Sequence, residues 1–334
     1  MPKTTFIIGA AASKSLVPEY PLGSQLKKMI AKGAPPSITH QIGDRAAALV
    51  NQVRRSPHSS IDAFMANAAN EESEIARQCI AGYLLPLDYH VIQNGLDDYD
   101  WFSEFANHFS RNPNLLFSHE YRFVVFNYDR LLEILLYNLF AGRGQLPHDE
   151  AWGRVKQCAI EHVYGFLDYD LAGLLQYPHR LKNHQSPISK YPHHIGCARL
   201  GADAIKAALG IRLMTSERNQ ESDEGLQRIR EWIESSSRLV FLGFGFAFDN
   251  VRIIGAEKFG GHVRRLDSNG RMVNMYSKFV YASMFEHGRA ERRRVARLIA
   301  NSDAYVNLGE PEQGCFQFLK DHCADWLEAD ALSR

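Results

Sequence analysis

Residues 238–246 read RLVFLGFGF: four apolar residues follow one arginine, then two glycines alternate with phenylalanines. A short apolar run bounded by glycine predicts a strand buried on both faces, as in a parallel sheet covered by helices on each side. Gly243 and Gly245 then mark a turn where the backbone can approach a ligand closely, a packing turn being the alternative. Outward from this stretch the same unit recurs. TFIIG (5–9) runs into GAAAS (9–13), RFVVF (122–126) runs into NYDRLLE (127–133), and Ile160 to Tyr164 ends at Gly165. Further strands are predicted over 211–215 (IRLMT), 272–276 (MVNMY) and 304–308 (AYVNL), the last closing the sheet.

Between these runs, apolar residues at three- and four-residue spacing predict helices. They fall over 22–33, 44–55, 59–69, 71–85 and 98–109, from near Asp129, and over 224–235, 288–300 and 314–327. Ala34 to Ser37 reads as a Pro-containing link, and 167–200, rich in His, Pro and Tyr, as an irregular excursion. Strands alternating with helices predict an α/β fold, a Rossmann-like, mostly parallel sheet with a helical insertion module. The expected division is a Rossmann domain over 1–42 and 113–330, with residues 43–112 as the insertion covering a pocket.

Composition narrows the function classes. Lys plus Arg equals Asp plus Glu at 38 each, so direct nucleic-acid binding is not expected. Cys79, Cys158, Cys197, Cys315 and Cys323 include no Cys-x-x-Cys pair, which argues against a disulfide framework or a four-cysteine zinc site. No apolar run approaches the ~20 residues of a membrane span, and MPKTTFIIGAAAS has no signal-peptide architecture. A cytoplasmic chain without membrane contact is expected.

Ligands of parallel sheets sit beyond the carboxyl ends of the strands, so the candidate residues are read there. Gly9, Ala10, Ala12 and Ser13 open a helix whose first amides and dipole suit a phosphate; a tight packing turn is the alternative. Asn127 and Asp129 are either a turn residue and an N-cap or a ligand-orienting pair. His162 and Tyr164, two apart in a strand-like run, are expected to share one face. Gly243, Phe244 and Gly245, with Asp249 and Asn250 beyond, form the fourth end. Asp62 is a helix cap or a pocket residue.

FIIGAAAS, NYD, a His near a Gly, and FLGFGF, in that order over roughly residues 5–320, resemble the sirtuin-like domains of bacterial defence proteins. SSIDAFM (59–65) is similar to a segment common in that group. The resemblance implies NAD as the ligand, hydrolysed to ADP-ribose and nicotinamide without a metal, as an effector of antiphage abortive infection. It implies Asn127 and His162 as the catalytic pair, with Asp129 at the nicotinamide end. Gly9, Ala10, Ser13, Gly243 and Gly245 would cradle the pyrophosphate and ribose. Two positions depart from the family pattern. Ala11 replaces a glycine, and Tyr164 stands directly before Gly165 where the family has its histidine, so either His162 or Tyr164 could be the base. The zinc ribbon of protein-deacylating sirtuins is missing, which disfavours a deacylase; a non-catalytic NAD or ADP-ribose sensor is the other alternative. The same resemblance implies gating by homo-oligomerisation or by a separate ATPase or sensor protein; in the sequence itself the arginine-rich segment 286–300 is the candidate docking surface, a solvated basic helix being the alternative.

Overall fold

A computed structural model of the chain describes residues 3–96, 100–143, 145–181, 195–212, 223–266, 271–301 and 303–332. The chain is α/β. Strands β1 (Thr4–Ile8), β2 (Tyr121–Val125), β3 (Ala159–His162), β4 (Arg238–Leu242), β7 (Phe279–Ala282) and β8 (Tyr305–Leu308) form a six-stranded sheet in the order β3-β2-β1-β4-β7-β8. Every pairing in it is parallel. This is the Rossmann-like strand order, in which the direction of winding reverses between the first and fourth strands. Here that reversal lies between β1 and β4. The antiparallel pair β5 (His262–Leu266) and β6 (Met272–Tyr276) stands apart as a two-stranded ribbon.

Successive strand residues point to opposite faces, and the core divides accordingly. Phe6, Ile8, Phe123, Val125, Val240 and Leu242 face one layer; Ile7, Val124, Leu239 and Phe241 face the other. The helices up to β2 are α1 (Ala10–Leu16), α2 (Gly23–Lys32), α3 (Pro36–Ile42), α4 (Asp44–Arg55), α5 (Ile61–Met65), α6 (Asn70–Asn94), α7 (Asp100–Arg111) and α8 (Asn114–Phe117). They share the first layer with α9 (Leu131–Asn138), α10 (His148–Gln157), α11 (Leu171–Gln176) and α12 (Ile195–Ala207). Phe105 of α7 meets Phe6 edge-on at 4.8 Å, so this helix lies directly on the sheet. The second layer is α13 (Glu224–Ser235), α14 (Phe248–Ile253) and α15 (Arg289–Leu298). The chain ends in α16 (Cys315–His322) and α17 (Ala324–Leu332), which pack on the first side. Cys79, Cys158, Cys315 and Cys323 are buried and free. No described helix is long and apolar enough to cross a membrane.

Several expectations are corrected. The 211–215 run is not a sheet strand in its described part: Ile211 makes one isolated antiparallel bridge to Gly165, and 213–215 lie outside the described residues. MVNMY is a strand, but of the exposed ribbon; the neighbour of β4 is FVYA (279–282), which the sequence reading missed. A short apolar run fixes neither its partner nor its sheet. The predicted link at 34–37 opens α3 instead, with Pro36 as the first helical residue, where its missing N–H costs nothing. The 314–327 helix breaks at Cys323 into two. The excursion at 167–200 contains α11 and the start of α12, with 182–194 outside the described residues. The helix predicted to stop at Leu85 runs on through Pro86 to Asn94. Proline removes one helical hydrogen bond, but this segment is buried on most sides and packing holds it in place.

Candidate functional site

The two glycine turns at the reversal point pack on each other. Gly9 donates its N–H to the Leu242 carbonyl at 2.9 Å, and Ala11 donates to the Gly243 carbonyl at 3.0 Å. A β-carbon on Gly9 would fall 2.5 Å from the Gly243 oxygen; one on Gly243 would fall 2.0 Å from the Ala12 nitrogen. Gly243 also has φ +58°. The close approach at these two glycines is therefore made by the protein's own backbone. Gly245 differs: a β-carbon there meets nothing within 4 Å, and the residue is exposed. Ala10 is half-buried at the start of α1, while Ala12 and Ser13 are buried beneath it. Trp101 of α7 fixes α1 by donating its indole N–H to the Ala12 carbonyl at 2.9 Å.

Beside these turns, the ends of β1 and β2 bring Ser13, Asn127 and Asp129 together. Asn127 Nδ2 donates to Ser13 Oγ at 2.8 Å and to the Gly9 carbonyl at 3.2 Å. Ser13 Oγ donates to Asp129 Oδ1 at 3.2 Å, and the same oxygen accepts the Leu131 N–H at 3.2 Å; the N-cap position of α9 is Arg130, so Asp129 is not the N-cap. Asn127 is 5% exposed, and its Oδ1 is buried without a hydrogen-bond partner. A buried acceptor left open is uncommon because desolvation costs it ~1–3 kcal/mol.

His162 and Tyr164 do not share a face. β3 ends at His162, and the following turn separates them. Tyr164 packs edge-on against Phe126 and donates its hydroxyl to Asn250 Oδ1 of α14 at 2.5 Å. His162 turns instead toward α9. Its Nδ1 lies 3.2 Å from the Asn127 backbone carbonyl, and its Nε2 lies 3.4 Å from Glu133 Oε1. The second contact is close enough for charge attraction but misaligned for a full hydrogen bond. Arg130 Nε reaches the same Glu133 oxygen at 3.0 Å, and its guanidinium lies over the Phe166 ring. Burial alone would raise the Glu133 carboxyl; the His162 and Arg130 charges, with the Arg130 hydrogen bond, outweigh it and hold Glu133 down to about 2. Burial would lower His162; Glu133 outweighs it and the imidazole is raised.

Behind this pair sits Asp88 of α6, fully buried. It accepts the Tyr20 hydroxyl at 2.5 Å, the Tyr169 hydroxyl at 2.9 Å and the Arg130 N–H at 3.2 Å. Burial, and secondly the nearby Asp129 charge, push Asp88 up to about 7. Burial likewise pushes Asp129 up to about 6, against the hydrogen bonds from Leu131 and Ser13. Asp62 of α5 accepts the Tyr128 hydroxyl, and burial raises its carboxyl too. The cap of α5 is Ser60, which accepts the Ala63 N–H, so Asp62 is not the N-cap.

The candidate residues thus fall into two groups. Gly9, Ser13, Asn127, Asp129 and His162 are joined by contacts at the ends of β1 to β3. Tyr164 and Asn250 bond to each other toward α14, where Asp249 is exposed and Phe244 is buried against Phe126 and Phe241. Sequence reasoning missed Glu133, Arg130 and Asp88. A signal for two of them was present: Glu133 stands alone in LLEILLY and Asp88 in LLPLDY, and a carboxylate inside an apolar run is rarely buried unless paired. Of the arginine-rich helix, Arg292 is bound to Glu310, and Arg294 to Glu291 and the Phe246 carbonyl. Arg293 and Arg297 line a groove of about 580 Å³ with Phe248.

No protein-family model matches this chain, and no curated protein matches its sequence.

Proposed function

We propose that the protein hydrolyses NAD to ADP-ribose and nicotinamide beyond the carboxyl ends of β1, β2 and β4. The observation that carries this is the open acceptor of Asn127, buried at the reversal point of a Rossmann-like sheet, beside a carboxylate held near neutrality. In the reaction the bond from the ribose to the nicotinamide nitrogen breaks, and its electron pair leaves with nicotinamide. A water oxygen bonds to the ribose carbon and releases a proton. Asn127 Oδ1 accepts a hydrogen bond from that water or a ribose hydroxyl. Asp129, raised toward working pH, takes the proton, with Ser13 fixing its orientation. His162 is given a supporting role, because its Nδ1 donates to a carbonyl and its Nε2 faces a carboxylate. Gly245 is the turn position with room for a phosphate. The helices of residues 43–112 form the cover of the pocket in this scheme, with Asp62 reaching in to Tyr128.

Consumption of the cell's own NAD would serve antiphage abortive infection, and would need restraint by self-association or by a separate ATPase or sensor chain. One observation favours a second function. With His162 engaged at both nitrogens, the chain could hold NAD or ADP-ribose without cleaving it, as a sensor subunit. Both are tested by incubating the purified protein with NAD, assaying free nicotinamide and measuring binding by calorimetry. Asn127→Ala is expected to lower nicotinamide release by ~10²–10³-fold, the scale of losing one positioned hydrogen-bonding group, in a protein that circular dichroism shows to keep its fold at a stability lower by ~1–3 kcal/mol. Binding without release in the unaltered chain selects the sensor. No binding and no release, at any assembly state, excludes both.

A further inference from the structure

We propose that Glu133 is a positioning residue: it holds His162 as a doubly protonated imidazolium that grips the backbone carbonyl of Asn127 and thereby fixes the Asn127 side chain. The geometry carries this in steps. A carbonyl oxygen can only accept, so the 3.2 Å contact with Asn127 requires the hydrogen on His162 Nδ1. A neutral ring with that tautomer would leave the bare Nε2 only 3.4 Å from Glu133 Oε1, with no proton between two electron-rich atoms in a buried setting. Protonation of Nε2 turns that repulsion into an ion pair. Both side chains are nearly solvent-free, at 5% and 7% exposure, so the pair is weakly screened.

The surrounding charges act in both senses, and Glu133 of α9 prevails. Arg130, just before α9, disfavours the charged ring; Asp129 faces it from the turn after β2, where the His162 charge partly offsets the rise that burial gives its carboxyl. Asp88 and Tyr169 lie behind Arg130 and bond to each other. Phe166 lies beside both cations, its ring 5.1 Å from the His162 ring and 4.7 Å from the Arg130 guanidinium. One carboxylate oxygen therefore faces both cations, and the Phe166 ring packs against each of them. Asn127 is held at two points, its carbonyl by His162 and its Nδ2 by Ser13 and Gly9, which leaves Oδ1 as the side-chain atom with no partner.

The catalytic consequence rests on the NAD proposal; the gripping itself does not. The test is nuclear magnetic resonance of the full chain, following the His162 ring signals and the Asn127 side-chain amide with pH. In the unaltered protein, His162 is expected to stay doubly protonated well above the ordinary midpoint of ~6.5. Glu133→Gln should lower its midpoint by about one pH unit or more, the effect of removing an opposite charge at this distance, and should shift the Asn127 amide signals. An ordinary midpoint in the unaltered protein overturns the proposal without any variant. An unchanged midpoint and unchanged Asn127 signals in a folded Glu133→Gln also overturn it. Where the protein releases nicotinamide, Glu133→Gln should lower kcat about tenfold and move its pH profile, leaving KM nearly constant, and Glu133→Asp should restore part of the loss. No nicotinamide release from the unaltered protein counts against the NAD proposal alone, since the two resonance measurements still decide on Glu133.

Discussion

The two halves of the sheet end differently at the same level. Beyond β1, β2 and β3 the chain buries Ser13, Asn127, Asp129, Glu133 and His162, with Asp88 behind them. Beyond β4 and β7 it buries Phe244, Phe246 and Met284 with the Ser283 hydroxyl and the Cys315 thiol, while a carboxylate such as Asp249 stays outside. The strand geometry on the two sides is alike, because all are parallel and in register. What differs is how the ends are held. The apolar half is held by ring packing, with Phe244 4.8 Å from Phe126 and 5.2 Å from Phe246. The polar half is held by a connected set of hydrogen bonds and charges, in which removing one member leaves others buried and unpaired at ~3–5 kcal/mol for a broken ion pair. Rigidity comes from both halves; the displaced carboxyls Asp88, Asp129 and Glu133 lie in the polar one, whereas burial toward the other half only pushes groups such as the Cys315 thiol and the Tyr164 phenol further up.

The largest expected effect lies on the seam between the halves. Gly243→Val should cost more than ~4 kcal/mol, the range of exceptional lesions, since its φ of +58° disfavours any side chain and the new carbon would enter the start of α1. Urea unfolding measures it. Unaltered stability with loss of NAD binding would mean that Gly243 faces a ligand instead of backbone. Next, Phe244→Ala should cost ~3–5 kcal/mol, as for a large core aromatic, equally at pH 5 and pH 8. A strong pH dependence of that loss would place a titrating group in the apolar half and break the comparison.

The smallest effect is the most specific to the polar half. Asp88 has its folded pKa raised, to about 7. An acid so raised keeps its proton in the folded state; its contribution is full below its unfolded value of ~3.9 and is lost as pH rises through about 7. Asp129 acts in the same sense up to about 6. Glu133 acts oppositely, stabilising above its unfolded value of ~4.3 and losing that contribution as pH falls toward about 2. Asp88→Asn preserves an acceptor for Tyr169 and Arg130 and cannot ionise. Its stability should match that of the unaltered protein below about pH 4, exceed it increasingly between about pH 4 and about pH 7, and keep a constant margin above that. Parallel stability–pH curves for the two proteins would show that Asp88 does not titrate in this range.

How far the sequence carried can be seen residue by residue. TFIIG, RFVVF and RLVFL each became a central strand, because a residue buried on both faces must be apolar whatever its neighbours. Gly243 was legible as a turn glycine, but the close approach read there as one to a ligand is to the start of α1. The sequence placed Ser13, Asn127, Asp129 and His162 at strand ends, and the structure joins them there. It did not reveal that Gly9 and Gly243 press on each other, since that depends on β1 and β4 being neighbours. Nor did it reveal which way His162 turns. Glu133 and Asp88 come from α9 and α6, 45 residues apart in number, and a carboxylate's partners and pKa are set by what surrounds it in space. Ribbon strand β6 and sheet strand β7 read alike as short apolar runs, and only the packing of the second layer against Val280 and Ala282 decided between them. Local sequence thus determined which segments are buried strands and helices and which residues stand at their ends. Tertiary structure alone decided pairing, facing and charge, because burial and Coulomb interactions depend on distances that chain order does not fix.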